Sequence, residues 1–271
     1  MADLRDETYL AAVAAVDGQP ALNTLLSRGD RRRLVTDAAV WYLAQHDGLV
    51  SHTGTCVVLT AGPPGAGKTT VRELAVADLA HRRVLDSDIA KRYLASWCVE
   101  HGLYGSLSTL VLPDGRPLQP LGLAPLLQTV STEVINAVRH EAFATGEDVV
   151  IEATLASPSY GERLLLSLAK AEYTDLLVVS AETTRAEAHE RVRDRWWLDR
   201  CADPLGGRLV GPETVDLAYA QDDAVSVCRA HAIALVERVR AGESTLDRAS
   251  LVAYDDGKLA FADSDPPRLV K

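Results

Sequence analysis

The chain has 271 residues, 47% hydrophobic and 24% charged, the profile of a soluble globular protein with a real core. Acidic residues outnumber basic ones 38 to 28, a net charge of −10 that argues against a broad nucleic-acid-binding surface, since phosphate neutralisation needs clustered Lys and Arg. The N-terminus carries acids where a signal peptide needs positive charge, no apolar run approaches the ~18–20 residues of a membrane span, and the four cysteines form no Cys-x-x-Cys pair, so the expectation is a cytoplasmic chain without a zinc site or disulfide framework.

The first fifty residues read as helices, with Tyr9 to Val16 apolar and Leu22, Leu25, Leu26, Leu34, Ala38, Ala39 and Tyr42 at three-to-four spacing. Cys56 to Thr60 is a buried strand, followed by a helix from Lys68 to about Ala80. Val84-Leu85 begins a second strand, and Ser87 to Ser96 is helical. His101 to Pro125 carries four glycines and four prolines without periodicity, and is either a lid or binding loop or a disordered insertion. A helical stripe runs from Leu126 to Phe143, Asp148 to Glu152 is the third strand, Tyr160 to Ala171 a helix, and Leu176 to Val179 the fourth strand. Helices follow at Thr184 to about Arg200 and at Pro212 to Arg240, then a hairpin about Asp256-Gly257. Strands alternating with helices predict an α/β fold: a parallel sheet of P-loop NTPase type, flanked by helices. The expected organisation is an N-terminal helical extension over residues 1–50, a kinase domain over 51–262 that ends in the hairpin, and a flexible tail over 263–271.

Gly62-Pro63-Pro64-Gly65-Ala66-Gly67-Lys68-Thr69, with Thr70 following, is a complete phosphate-binding loop between a predicted strand and a predicted helix. Its glycines let backbone N–H groups turn toward a β-phosphate, and the helix N-terminus adds partial positive charge. Lys68 reaches the β- and γ-phosphates of ATP, and the Thr69 hydroxyl can ligate Mg²⁺. Neither the Asn-Lys-x-Asp motif of a GTPase nor the Asp-Glu strand end of a motor ATPase is present. That leaves a small-molecule kinase, in which a strand-end carboxylate activates an acceptor hydroxyl.

Asp86-Ser87-Asp88 lies at such a strand end. Asp88 is read as the base and Asp86 as an outer Mg²⁺ partner, with Ser87 as helix cap. Glu152 and Thr154 close the third strand, where ligands of parallel sheets bind. Arginines cluster at Arg185, Arg191, Arg193, Arg195 and Arg200, with Arg208 in a Gly-rich turn; guanidinium groups stabilise a transferring phosphoryl, and most of these six are expected to pair with nearby acids. Trp196-Trp197 reads as packing.

In order and spacing this set resembles the zeta toxin kinases of bacterial toxin–antitoxin systems, from about Cys56 to Phe261. The matching positions are Gly62 to Thr69, Asp88, Glu152, Thr154, Arg195 and Arg208. The stretch Ile89 to Ala95 lacks the His-Pro that often follows the family's catalytic acid. The resemblance implies phosphorylation, dependent on ATP and Mg²⁺, of the 3′-hydroxyl on the amino sugar of UDP-N-acetylglucosamine, with an antitoxin as protein partner. Catalysis would fall to Asp88, Lys68, Arg195 and Arg208, acceptor binding to Asp88, Glu152 and Thr154, and metal binding to Thr69 and Asp86. Other readings are a kinase for an antibiotic or nucleoside, and a non-catalytic interaction protein switched by ATP. Residues 1–50 either cover one face of the sheet or block the site in cis.

Overall fold

The computed structural model of the chain describes residues 2–45, 48–219 and 225–263; the expected flexible tail lies outside them from residue 264 on. In chain order the helices and strands are α1 (Ala2–Val16), α2 (Leu22–Leu25), α3 (Arg28–Ala44), β1 (Cys56–Ala61), α4 (Lys68–Ala75), β2 (Arg83–Leu85), α5 (Ser87–Glu100), α6 (Gly105–Ser108), α7 (Gln128–Ala144), β3 (Val149–Ile151), α8 (Pro158–Lys170), β4 (Asp175–Glu182), α9 (Arg185–Ala202), α10 (Pro212–Asp216), α11 (Val227–Arg240), β5 (Arg248–Asp255) and β6 (Lys258–Ala262). They fall into two compact units: Met1–Gln45, Ser87–Val138 and Glu190–Pro212 form a helical unit, and His46–Asp86, Arg139–His189 and Glu213–Lys271 a sheet unit.

Among the described residues the sheet unit holds six strands in the order β2-β3-β1-β4-β5-β6. The first five are parallel, and β6 returns antiparallel to β5 through a turn in which Asp256 and Gly257 both have positive φ, 48° and 77°. That is the two-residue hairpin geometry expected of Asp-Gly. β1 and β4 are buried along their whole length, which only helices on both faces can bring about. On one face Val58, Val150, Leu177, Val179 and Val252 pack with Val71 and Ala75 of α4. Residues of opposite parity, Leu251 and Ala253, face α11. Each fully buried Val or Leu contributes roughly 1.5–3 kcal/mol, and this apolar sandwich is what holds the strand ends in place.

Two elements of the sheet unit depart from expectation. The helix after the phosphate loop stops at Ala75, because Val76 turns to extended backbone (φ −103°, ψ 114°) and drops its side chain into the core. The helix expected over Pro212 to Arg240 is two, α10 and α11. Ser226 caps α11, its hydroxyl accepting from the Arg229 amide at 3.4 Å, and residues 220–224 lie outside the described segments.

In the helical unit, Ser27 caps α3, its hydroxyl accepting from the Asp30 amide at 3.2 Å and donating to the Asp30 carboxylate at 2.7 Å. The i, i+4 stripe Leu34, Ala38 and Tyr42 is buried, as is Leu22 of α2. Leu25 is exposed, and Trp41 is half-buried with its ring 5.1 Å from that of Tyr93 on α5. The Gly/Pro-rich stretch 101–125 is neither a disordered insertion nor a loop without structure. It contains α6, a bridge between Val111 and Pro117, and the start of a 3₁₀ helix, Pro120–Leu127, whose Leu121, Leu123, Leu126 and Leu127 are buried. Its short turns have no period for a sequence pattern to reveal.

A chain begun at Ser51 loses α1 to α3 and the partners they give their own unit. It is expected to be insoluble, as measured by the soluble fraction on expression, because the burial of Leu22, Leu34 and Tyr42 would be lost. A soluble, folded and more active truncation would instead mark residues 1–50 as a cis inhibitor.

Candidate active site

The phosphate loop leaves β1 at Gly62, whose φ of 142° no ordinary side chain adopts, and whose missing Cβ would lie 2.2 Å from the Ala181 carbonyl oxygen. Gly67 has φ 81° and nothing within 4 Å of where a Cβ would stand, so the backbone is bare on the side open to a ligand. α4 begins at the next residue. Lys68 Nζ donates to the carbonyl oxygens of Gly62 and Pro63, both at 3.0 Å, and Thr69 and Thr70 are exposed on the first turn of the helix. Pro63 and Ala66 are buried, with Ala66 in the α4 core, while Pro64 and Gly65 are half-buried. An open cradle of N–H groups, a helix N-terminus and one ammonium group together fit a nucleotide polyphosphate.

The segment after β3 is tied to this loop from the adjacent strand. Gly62 N donates to Thr154 O at 3.0 Å, and Ala153 N donates to the Thr60 hydroxyl at 3.2 Å. Glu152 is largely buried between two donors: Arg72 Nη1 at 2.6 Å from Oε1, and Thr60 Oγ1 at 3.0 Å from Oε2. The Thr154 hydroxyl accepts from Ala156 N at 3.3 Å. Arg72 follows Lys68 by one helical turn, which places it on the same side of α4. Sequence reasoning missed Arg72, because its partner Glu152 lies 80 positions further along the chain, beyond the reach of any spacing rule. Asp86 follows β2 directly and is half-buried, and α5 starts at Ser87 itself, so the cap position falls to Asp86.

In the helical unit, Asp88 lies in the first turn of α5, with Arg208 Nε 2.9 Å from its Oδ2 and Lys91 Nζ donating to its Oδ1 at 3.3 Å. Lys91 is only 5% exposed, a rare burial for lysine that requires a nearby anion. Burial works against ionising Asp88, but Arg208, Lys91 and Arg195 more than offset it and hold the carboxyl below its ordinary range. Arg208 owes its place to the two glycines before it: a Cβ on Gly207 would lie 2.0 Å from the Trp196 carbonyl oxygen. Arg195 is exposed at 59%, with Asp199 3.8 Å away. Lys91 was absent from the sequence-based set, although its i, i+3 spacing from Asp88 was visible.

The remaining arginines divide as their neighbours dictate. Arg193 pairs with Glu190 at 2.5 Å, as expected from spacing, whereas Arg185 meets Asp216 at 2.9 Å and Arg200 meets Asp114 at 2.7 Å, partners remote in sequence. Trp196 is buried, edge-on to Tyr9 with centroids 5.5 Å apart, in keeping with a packing role.

The model of the zeta toxin family matches residues 121–256, half of the chain. The match includes Glu152, Thr154, Arg195 and Arg208 and starts after the phosphate loop and Asp88. Among solved structures, a chain from the PezAT chromosomal toxin–antitoxin system of Streptococcus pneumoniae is 12% identical with a TM-score of 0.54, covering 89% of this chain and 84% of that one. The complex of AvrRxo1-ORF1 with AvrRxo1-ORF2 bearing sulphate ions gives 13% identity and a TM-score of 0.53 over 86% of this chain and 70% of that one. The same pair with ATP gives 12% and 0.53 over 85% and 68%. Likeness at these identities speaks for the fold. No curated protein matches the sequence.

Proposed function

Because the chain belongs to the zeta toxin family of P-loop kinases, we propose that it transfers the γ-phosphoryl of ATP to a sugar hydroxyl of UDP-N-acetylglucosamine or a related nucleotide sugar, acting in the cytoplasm as the toxin of a toxin–antitoxin pair. The observation that carries this reading is the bare backbone at Gly67 directly before Lys68 and Thr69 on the first turn of α4. The neighbouring fold from PezAT, a toxin–antitoxin system, and the ATP in an AvrRxo1 structure favour the same reading.

In this mechanism the backbone N–H groups of Gly65, Gly67, Lys68 and Thr69 and the N-terminus of α4 bind the polyphosphate, and Lys68 neutralises its charge. Thr69 and Asp86 are the residues that would hold Mg²⁺, which would offset the negative charge of the phosphates. Asp88 is ionised at neutral pH, as a base must be, and takes the proton of the acceptor hydroxyl. Arg195 and Arg208 stabilise the charge that spreads over the transferring group. Glu152 and Thr154 orient the acceptor or the metal's outer shell.

Incubating the protein with ATP, Mg²⁺ and a panel of UDP-sugars, nucleosides and aminoglycosides tests this directly. The expected product is a UDP-sugar heavier by roughly 80 Da, one phosphoryl group. A heavier nucleoside or aminoglycoside would move the acceptor to another class, and ATP binding without any product would make the chain a switch. Alanine at Arg208 or Arg195 is expected to lower turnover more than it raises the Michaelis constant for ATP; an unchanged rate removes that arginine from the site.

A further inference from the structure

Leu155, directly after Thr154, stands in the left-handed backbone region at φ 57° with its side chain 2% exposed. A leucine adopts that conformation only when its surroundings impose it, and such strain collects at functional loops. The constraint here comes from α11. The ring Nδ1 of His231 lies 2.8 Å from the Leu155 carbonyl oxygen, and since a carbonyl only accepts, Nδ1 carries the proton and donates it. On its other side the turn is fastened to the phosphate loop through Gly62 N to Thr154 O, and within itself through Ala156 N to Thr154 Oγ1. The buried Leu155 side chain resists rotation, and His231 gives the Leu155 carbonyl a hydrogen-bond partner from another element.

We infer that His231 is a positioning residue, which by holding the Leu155 carbonyl keeps the strained turn that sets Glu152 and Thr154 against the phosphate loop. The catalytic consequence rests on the kinase reading above, whereas the clamp itself does not. It is a role exercised through the backbone, with no contact between His231 and the reacting groups required.

The test uses the full chain and two independent readouts. In His231→Ala, amide hydrogen exchange at Gly62 and Ala156 is expected to quicken by roughly tenfold as the turn opens. Acceptor turnover should fall about tenfold, with the dissociation constant for ATP moving less than about twofold. His231→Asn, whose Nδ2 can donate from nearly the same place as Nδ1, should restore both most of the way. Unchanged exchange at Gly62 and Ala156 in His231→Ala would overturn the proposal, as would an Asn variant no better than Ala. Should His231→Ala not fold, the Leu155 pair decides: Leu155→Gly should melt higher than Leu155→Ala, because only glycine is at ease at φ 57°. The reverse order would show that no strain is held there. If the unaltered chain phosphorylates nothing, the kinase reading fails, and the exchange and melting measurements still judge the clamp.

Discussion

Asp88→Asn is expected to lower acceptor phosphorylation by on the order of 10²–10⁴, the usual cost of losing a general base, while the affinity for ATP stays nearly intact. The reason lies in the charges around it. Arg208 at 2.9 Å and Lys91 at 3.3 Å hold the carboxylate ionised, so at neutral pH the proton-accepting form is already present. Asn matches the carboxylate in size and keeps one oxygen but cannot take a proton. It also withdraws the anion facing the buried Lys91, so melting is measured beside turnover to separate chemistry from folding. Because the folded carboxyl titrates below its ordinary value near ~3.9, loss of activity through this group should appear only in strongly acidic solution. Asp86→Asn is the comparison. If it abolished turnover while Asp88→Asn left it normal, the base would be Asp86.

Asp114→Ala is expected to destabilise the protein by about 3–5 kcal/mol, the cost of stranding a buried partner charge, and to lower the melting temperature by on the order of 10 °C. Arg200 is fully buried, its Nη2 2.7 Å and Nε 2.8 Å from the two Asp114 oxygens, a paired fork geometry that alanine removes at once. The other contacts of Arg200, to the carbonyls of Pro117 and Arg116 and to Gln119 Oε1, are neutral acceptors and leave the charge unbalanced. Burial pushes the Asp114 carboxyl up, but its bonds with Arg200 and Arg116 win and hold it below the ordinary range. The pair therefore contributes its stability above the unfolded carboxyl value of ~3.9 and loses it as pH falls through the lower folded value. Thermal melts of the unaltered and Asp114→Ala proteins should begin to approach each other below about pH 4 and meet only once the pH has fallen past the lower value of the folded carboxyl. A variant that melts with the unaltered protein at pH 7 would show that the neutral acceptors suffice for Arg200.

Much of the candidate site was legible because its chemistry is local in the chain. The phosphate loop needs consecutive glycines and a lysine at one helix N-terminus, and a strand, a loop and a helix in sequence order carry that information completely. The same is true of the β-branched runs that became β1, β3 and β4, and of the Asp-Gly hairpin, whose two positive φ values are a property of its own two residues. Glu152 and Thr154 follow directly on β3, where the strand pattern puts them, whereas Asp88, expected at a strand end, lies in the first turn of α5.

What the chain pattern could not carry was the choice of partners for those residues. Glu152 is held by Arg72, 80 positions earlier, Arg200 by Asp114, 86 earlier, and Asp88 by Arg208, 120 later. No propensity or spacing rule reaches across such distances, because the pairing energy depends on burial, and burial is set only once elements pack. The stretch 101–125 makes the same point from the other side: its leucines look aperiodic, yet they become core when the 3₁₀ helix Pro120–Leu127 packs with α5 and α1. Sequence by itself determined the α/β class and the phosphate-binding loop, since both are written in contiguous residues. Only the tertiary structure decided that Arg208 reaches Asp88, that Glu152 belongs to Arg72, and that Leu155 is forced into a left-handed turn. Each of those is settled by long-range packing that places a charge or a buried side chain where no neighbour in the chain could.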